Sequence, residues 1–210
     1  MKKIQNIRKN YNLDQLRRVD LKNSPIEQFQ AWFNELGHGN DFNAVTLSTY
    51  SKKDGIQSRV VLLKEIQKEG FVFYTNYNSV KAQQIDINNH VALCFFWPEF
   101  QRQVRVNGLA VKVSNTLSDK YFSQRPRKSQ ISTWVSQQSD ILINREMLET
   151  KFSKFEKKFK DKSVLKPDHW GGYKVKPLSM EFWQGRVDRM HDRFLYKKTN
   201  NKWNISRLYP

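Results

Sequence analysis

Trp183, Gly185, Arg186, Arg189, His191 and Arg193 fall within one short stretch near the C-terminus, between Phe182 and Tyr196. Arginine suits flat or anionic partners, because its planar fork bonds bidentately and lies on aromatic rings. Histidine changes charge near neutral pH. Gly185 predicts a tight turn, and Phe194, Leu195 and Tyr196 predict a strand leaving it. Alone, the same residues would also suit a solvated basic loop.

Three further groups carry usable chemistry. Arg59-Val60-Val61-Leu62-Leu63-Lys64 reads as a buried strand with a cation near each end. Alternation puts Arg59 and Lys64 on opposite faces unless a bulge intervenes, so they either meet two separate anions or reach solvent at the strand ends. Tyr121 and Arg125 lie one helical turn apart, and Pro126 redirects the chain so that Ser129 falls near the start of the next helix. Backbone N–H groups there favour phosphate; a plain cap beside an exposed arginine is the alternative. Lys81 follows Tyr74 and Thr75 at a helix N-terminus, where a cation gains nothing from the helix dipole unless an anion sits between. Gln103, Gln138 and Ser139 lie beside apolar segments and could read the edge of a heterocycle.

Other chemistries lack their residues. There is no glycine-rich dinucleotide or phosphate loop, no nucleophile elbow and no His spacing for a metal. The single cysteine, Cys94, excludes an internal disulfide and sits in an apolar run that predicts an inert thiol. The net charge of +17 asks for anionic partners. Acidic residues interspersed among the basic ones weigh against a nucleic-acid surface. No apolar run is long enough to cross a bilayer and no signal region follows the basic start, so the expectation is a soluble, cytoplasmic protein without membrane association.

The 210 residues, with six Trp and fourteen Phe, predict one aromatic-rich core. Residues 1–23 are polar and basic and read as a mobile or lid-like arm; 24–210 read as a single domain. Ser24-Pro25 predicts an N-cap and first helical residue, with Ile26, Phe29, Trp32, Phe33 and Leu36 at helical spacing before Gly37. Strands are predicted over 44–50, 57–66, 71–75, 91–97, 103–113, 173–175, 180–183, 194–196 and 203–206, with a hairpin at Lys53-Asp54-Gly55. Helices are predicted over 79–88, 117–124, 129–135 and 144–159. The fold class is mainly β with flanking helices (α+β), a barrel decorated by helices.

Taken in order, these segments resemble the pyridoxine/pyridoxamine 5′-phosphate oxidase family. The resemblance is carried by Arg59 to Lys64, Phe73-Tyr74-Thr75-Asn76, Arg102-Gln103-Val104, Tyr121-Phe122 with Arg125-Pro126-Arg127, and Trp134-Val135-Ser136 with Gln138-Ser139. Trp170-Gly171-Gly172, Phe182-Trp183-Gln184-Gly185, Arg189-Met190-His191-Asp192-Arg193-Phe194 and Arg207-Leu208 complete it, and Leu16-Arg17-Arg18 with Asp20-Leu21 also fit. It runs nearly end to end.

The resemblance implies a split β-barrel homodimer with FMN at the subunit interface. It implies oxidation of pyridoxamine and pyridoxine 5′-phosphate to pyridoxal 5′-phosphate, with O2 as acceptor and H2O2 as product. Arg59, Lys81 and Ser139 would hold the FMN phosphate region; Val60, Val61, Leu62, Leu63, Lys64, Tyr74, Thr75, Gln103, Gln138, Trp183 and Arg193 would complete the flavin pocket. Lys64, Tyr121, Arg125 and Ser129 would grip the substrate phosphate. Arg189, Met190 and His191 would face the pyridine ring, with Arg189 and His191 catalytic. Arg8, Lys9, Asn10 and Tyr11 would form a lid that contacts substrate. Val80 departs from the pattern where an arginine is usual, and Arg186 where a small residue is usual. A flavin reductase or a non-catalytic flavin binder on the same barrel is the alternative function, and a basic nucleic-acid-binding domain a more distant one.

Overall fold

The computed structural model of the chain describes residues 3–6, 9–37 and 41–210. Nine strands form one antiparallel sheet, in the order β2-β1-β5-β6-β7-β4-β3, with β8 joined to β7 and β9 to β8. The strands are β1 (Ala44–Ser51), β2 (Gly55–Leu62), β3 (Glu65–Gln67), β4 (Gly70–Asn76), β5 (His90–Trp97), β6 (Arg102–Lys112), β7 (Trp170–Gln184), β8 (Asp192–Thr199) and β9 (Lys202–Leu208). Beyond β2 the Lys64 N–H donates to Val72 O of β4 at 2.8 Å, which brings the two ends of the sheet together as a barrel. The expected β-rich barrel with flanking helices is therefore present.

Helix α1 (Pro25–Glu35) starts as its local sequence predicts, with Ser24 Oγ accepting from the Glu27 N–H and Pro25 in the first turn. Its apolar stripe fills the barrel. The buried Phe29 ring stands 4.7 Å from Phe71, 4.8 Å from Phe95 and 5.7 Å from Trp97. Leu16 and Leu21 join this core, so the second half of the N-terminal arm is packed rather than merely draped.

Helices α2 (Val80–Ile87), α3 (Asn115–Gln124), α4 (Arg127–Val135) and α5 (Arg145–Lys158) lie where the sequence predicts them, within a few residues at each end. Phe122, Ile131, Val135, Val164 and Trp170 form a second, smaller core beneath α3 to α5, joined by Leu148, Phe152, Phe155 and Phe159. Met147, also on α5, is exposed.

Two expectations need correction. The sequence predicts separate strands over 173–175 and 180–183, yet β7 runs unbroken over Trp170–Gln184. Pro177 lies opposite Gly108, at a register shift between Asn107 and Gly108; a bulge is where a strand tolerates a residue without an N–H. Strand β2 is not buried: Val60 and Leu62 are exposed, because β2 pairs with β1 along one side only and its outer face is uncovered.

Candidate functional site

Two adjoining cavities gather four of the predicted cations. The larger gap, about 650 Å³, is lined by Arg59, Val60, Val80, Lys81, Gln138 and Ser139, with Gln57 and Ser58. Its neighbour, about 390 Å³, shares Val60, Lys81 and Gln138 and adds Val61, Leu62, Lys64, Tyr74, Thr75, Tyr121, Arg125, Thr133 and Trp170 among its walls. Among the described residues, Arg59, Lys64, Lys81 and Arg125 bring four cations to these walls, and no carboxylate lines either cavity.

The sequence places these groups for local reasons. Pro126 holds Arg125 in extended backbone at ψ 148°, which ends α3 and turns the side chain back toward α4. The Arg125 guanidinium donates to Thr133 Oγ1 at 2.6 Å and lies 4.8 Å from the Trp170 ring centre. Trp170, Tyr74 and Tyr121 stack nearly parallel, with centroid distances of 5.3 Å for Trp170–Tyr74 and 4.1 Å for Tyr74–Tyr121. They form a flat aromatic wall beside the guanidinium. Burial, partly offset by Tyr121, lowers the Arg125 pKa.

Lys81 is the most constrained cation. Its buried ammonium donates to Thr75 Oγ1 at 3.2 Å, Ser79 Oγ at 3.1 Å and Gln138 Oε1 at 3.2 Å, all neutral groups. Burial, and then Arg59, lower its pKa to about 8. Arg59 donates to Thr49 Oγ1 at 2.6 Å, and burial lowers its pKa too. Ser139 holds its backbone at φ 81° and accepts from the Val80 N–H at 3.3 Å, which ties the loop to the start of α2. Half-buried cations bonded only to neutral oxygens suit bound anions.

A second group lies across three neighbouring strands. Gln103 of β6 stands opposite Trp183 of β7, and Trp183 opposite Arg193 of β8. Arg193 Nε donates to Glu181 Oε1 at 2.8 Å. Beyond Gly185 the chain makes a turn in which Asp188 and Arg189 adopt φ 53° and 60°, a left-handed pair that is costly for side-chain-bearing residues. The turn presents Arg189 and Met190 to solvent and brings His191 within 4.7 Å of Trp183, centre to centre. Tyr11 covers the start of this turn, 5.7 Å from Trp183 and 6.0 Å from His191. Burial, and then Arg189, lower the His191 pKa.

The fold thus brings Arg59, Val60, Val61, Leu62, Lys64, Tyr74, Thr75, Lys81, Tyr121, Arg125, Gln138 and Ser139 to one pair of cavities. Neither cavity contains Gln103, Trp183, Arg189, Met190, His191 or Arg193. Leu63 lies in the barrel core, and the Ser129 carbonyl accepts from Thr133 without lining either cavity. Lys9 and Asn10 are exposed, and Arg8 lies outside the described residues. Sequence reasoning did not find Thr49, Thr133 or Trp170 as site groups. The two threonines touch the site only through partners on other elements, and no local pattern marks them. Cys94 is half-buried with a raised thiol pKa, caused chiefly by burial, as an inert thiol requires. Among the described residues no helix is long and apolar enough to cross a membrane, and no cluster of metal-ligating side chains occurs.

Comparison with known proteins follows the same division. A family model described as pyridoxamine 5′-phosphate oxidase matches residues 27–159, which hold both cavities' cations. A second, described as the pyridoxine 5′-phosphate oxidase C-terminal dimerisation region, matches residues 170–210, which hold Trp183, Arg189, His191 and Arg193. Curated proteins named pyridoxine/pyridoxamine 5′-phosphate oxidase are similar over nearly the whole chain. One from Crocosphaera subtropica is 46% identical, covering 97% of this chain and 98% of its own length. One from Leptospira interrogans is 44% identical, covering 99% of each. Among solved structures, PhzG from Burkholderia lata in complex with tetrahydrophenazine-1-carboxylic acid superposes with a TM-score of 0.87 at 26% identity, over 94% of this chain and 98% of that one. A pyridoxamine 5′-phosphate oxidase-related, FMN binding protein from Nostoc punctiforme shares the fold at 14% identity, with a TM-score of 0.69 over 90% of this chain and all of that one.

Proposed function

The chain belongs to the pyridoxine/pyridoxamine 5′-phosphate oxidase family, and from that premise we propose that it binds FMN and oxidises pyridoxamine and pyridoxine 5′-phosphate to pyridoxal 5′-phosphate. The observation that carries this reading is the pair of joined cavities with four cations and no carboxylate, divided by Lys81 and Gln138. Two phosphorylated molecules side by side need this arrangement: Arg59, Lys81 and Ser139 for one phosphate, and Lys64 and Arg125 for the other. Val60, Val61, Leu62, Tyr74, Thr75 and Gln138 wall the space between.

FMN held by Arg59, Lys81 and Ser139 would supply the redox chemistry, accepting the two electrons and hydride lost from the substrate's C4′ carbon and passing the electrons to O2 as H2O2, with water releasing NH3 where the substrate is the amine. The protein supplies position. Trp170 packs against Arg125 and, with Thr133, holds it toward the substrate phosphate, and Tyr121 lines the same cavity. Gln103, Trp183, Arg193, Arg189, Met190 and His191 complete the flavin pocket and the pyridine face from a second copy of the chain. Their separation from the cavities and the dimerisation-region match support that reading. Tyr11, with Lys9 and Asn10, belongs to a lid over that face.

The purified protein is expected to be yellow and to release FMN on denaturation. It is expected to consume O2 with pyridoxamine 5′-phosphate, but not with reduced nicotinamide alone. A colourless protein that takes up no FMN defeats the cofactor assignment. Nicotinamide-driven flavin reduction without oxidation of the B6 phosphates would make it a reductase.

A further inference from the structure

One carboxylate outside both cavities joins three separate parts of the chain. Asp192 is 8% exposed and opens β8 immediately after His191. Its Oδ2 accepts from the Leu16 N–H and from Arg186 Nη1, each at 3.1 Å, and its Oδ1 accepts from Arg207 Nη1 at 2.8 Å. Arg186 Nη1 also donates to Gln15 Oε1 at 3.3 Å. The N-terminal arm, the His191 turn and the last strand therefore meet at one charge. A largely buried carboxylate that accepts three charge-assisted or main-chain bonds holds its partners in a single arrangement.

Two of these bonds, from Leu16 and Arg186, lead to the pyridine-facing side, while Arg207 ties them to the last strand. Leu16 ends the segment that begins at Tyr11, and Tyr11 lies against Trp183 and His191. Arg186 does more than pair with Asp192: its main-chain N–H donates to His191 Nδ1 at 3.1 Å, so its two ends grip consecutive residues. No contact of Asp192 reaches either cavity. We infer that Asp192 is a positioning residue for the proposed oxidation: it anchors the arm and the turn together and so sets where Tyr11 and His191 stand. This rests on the function proposed above. A purely structural role would weaken the whole barrel instead.

Hydrogen exchange and steady-state kinetics on the full-length holoenzyme test it, with Asp192→Asn as the variant. The Leu16 amide and the amides of 186–191 are expected to exchange roughly tenfold or more faster, with β5 and β6 unchanged. KM for pyridoxine 5′-phosphate is expected to rise about tenfold while kcat stays within about threefold. Unchanged exchange in both segments overturns the inference, as does faster exchange spread evenly over the barrel with KM unchanged. Should Asp192→Asn fail to fold, Arg186→Gln removes one of the three bonds, and faster exchange at Leu16 and 186–191 is again required. A wild-type protein inactive on both B6 phosphates defeats the proposed function instead, and the exchange experiment still decides whether Asp192 anchors the two segments.

Discussion

The main-chain N–H of Arg186 donates to Nδ1 of His191 at 3.1 Å. A donor on that nitrogen leaves the proton of the neutral ring on Nε2. His191 therefore offers its partner a hydrogen bond and has no free basic nitrogen. A proton acceptor at Nε2 would need the other tautomer.

His191→Ala is expected to lower kcat/KM about tenfold, and His191→Gln, which keeps an N–H donor near the same place, by only about threefold. Because burial and Arg189 lower the His191 pKa, the folded protein resists protonation. Its contribution to stability is complete above the ordinary value of about 6.5 and is lost as pH falls from there through the folded pKa. The acid limb of the kcat/KM profile should therefore lie below pH 6.5, and Arg189→Gln should move it upward. An acid limb that stays in place in His191→Gln assigns it to another group.

Lys81 gives an alkaline dependence. With its pKa lowered to about 8, the unfolded chain binds the proton more tightly than the anion-free fold between about 8 and the ordinary 10.5. Stability of the flavin-free protein should rise with pH across that window. Flavin affinity should do the opposite, weakening above about pH 8 as the ammonium is lost, while Lys81→Arg should hold its affinity to about pH 10. Quenching of FMN fluorescence measures the affinities, and denaturant unfolding of the flavin-free protein followed by Trp fluorescence measures the stability.

Thr133 orients Arg125 through a 2.6 Å hydrogen bond. Thr133→Val should raise KM for the phosphorylated substrate about three- to tenfold with little change in kcat, and Arg125→Ala about 10- to 100-fold. The unphosphorylated alcohol should be nearly indifferent to both. Equal losses with and without the phosphate would place Arg125 elsewhere.

Gly185 is kept small by Tyr11, because a Cβ there would stand 2.8 Å from Tyr11 Cγ. Gly185→Ala should displace the ring and raise KM about as much as Tyr11→Ala does. The double variant should be no worse than either single one. Additive effects would mean that the glycine serves its own turn and not the contact.

Subunit mixing tests the two-copy site. Lys81→Ala and Trp183→Ala proteins, each expected to bind flavin poorly, should recover binding when refolded together, because each mixed dimer contains one site with both residues intact. Flavin binding that stays lost in the mixture, with dimers formed, would place both residues in one subunit's site.

Local signals in the sequence carry far where they are strong. Ser24-Pro25 and Lys53-Asp54-Gly55 set the start of α1 and the β1–β2 hairpin, because caps and tight turns are governed by neighbouring residues. The continuity of β7 across Pro177 has no such local mark: the missing N–H is tolerated because Gly108, on the strand opposite, sits at a bulge.

The amino-acid sequence alone determined most of the strand and helix pattern and the family, since periodicity, turn chemistry and ordered motifs reside in the chain itself. Tertiary structure decided what the site's charged groups touch. Thr133 under Arg125, Thr49 beside Arg59 and Asp192 beneath the His191 turn are brought together by strand register and helix packing from distant parts of the chain. It also left Trp183 and Arg193 outside the cavities that hold Lys81, because a single barrel turns those strands along a different part of its surface.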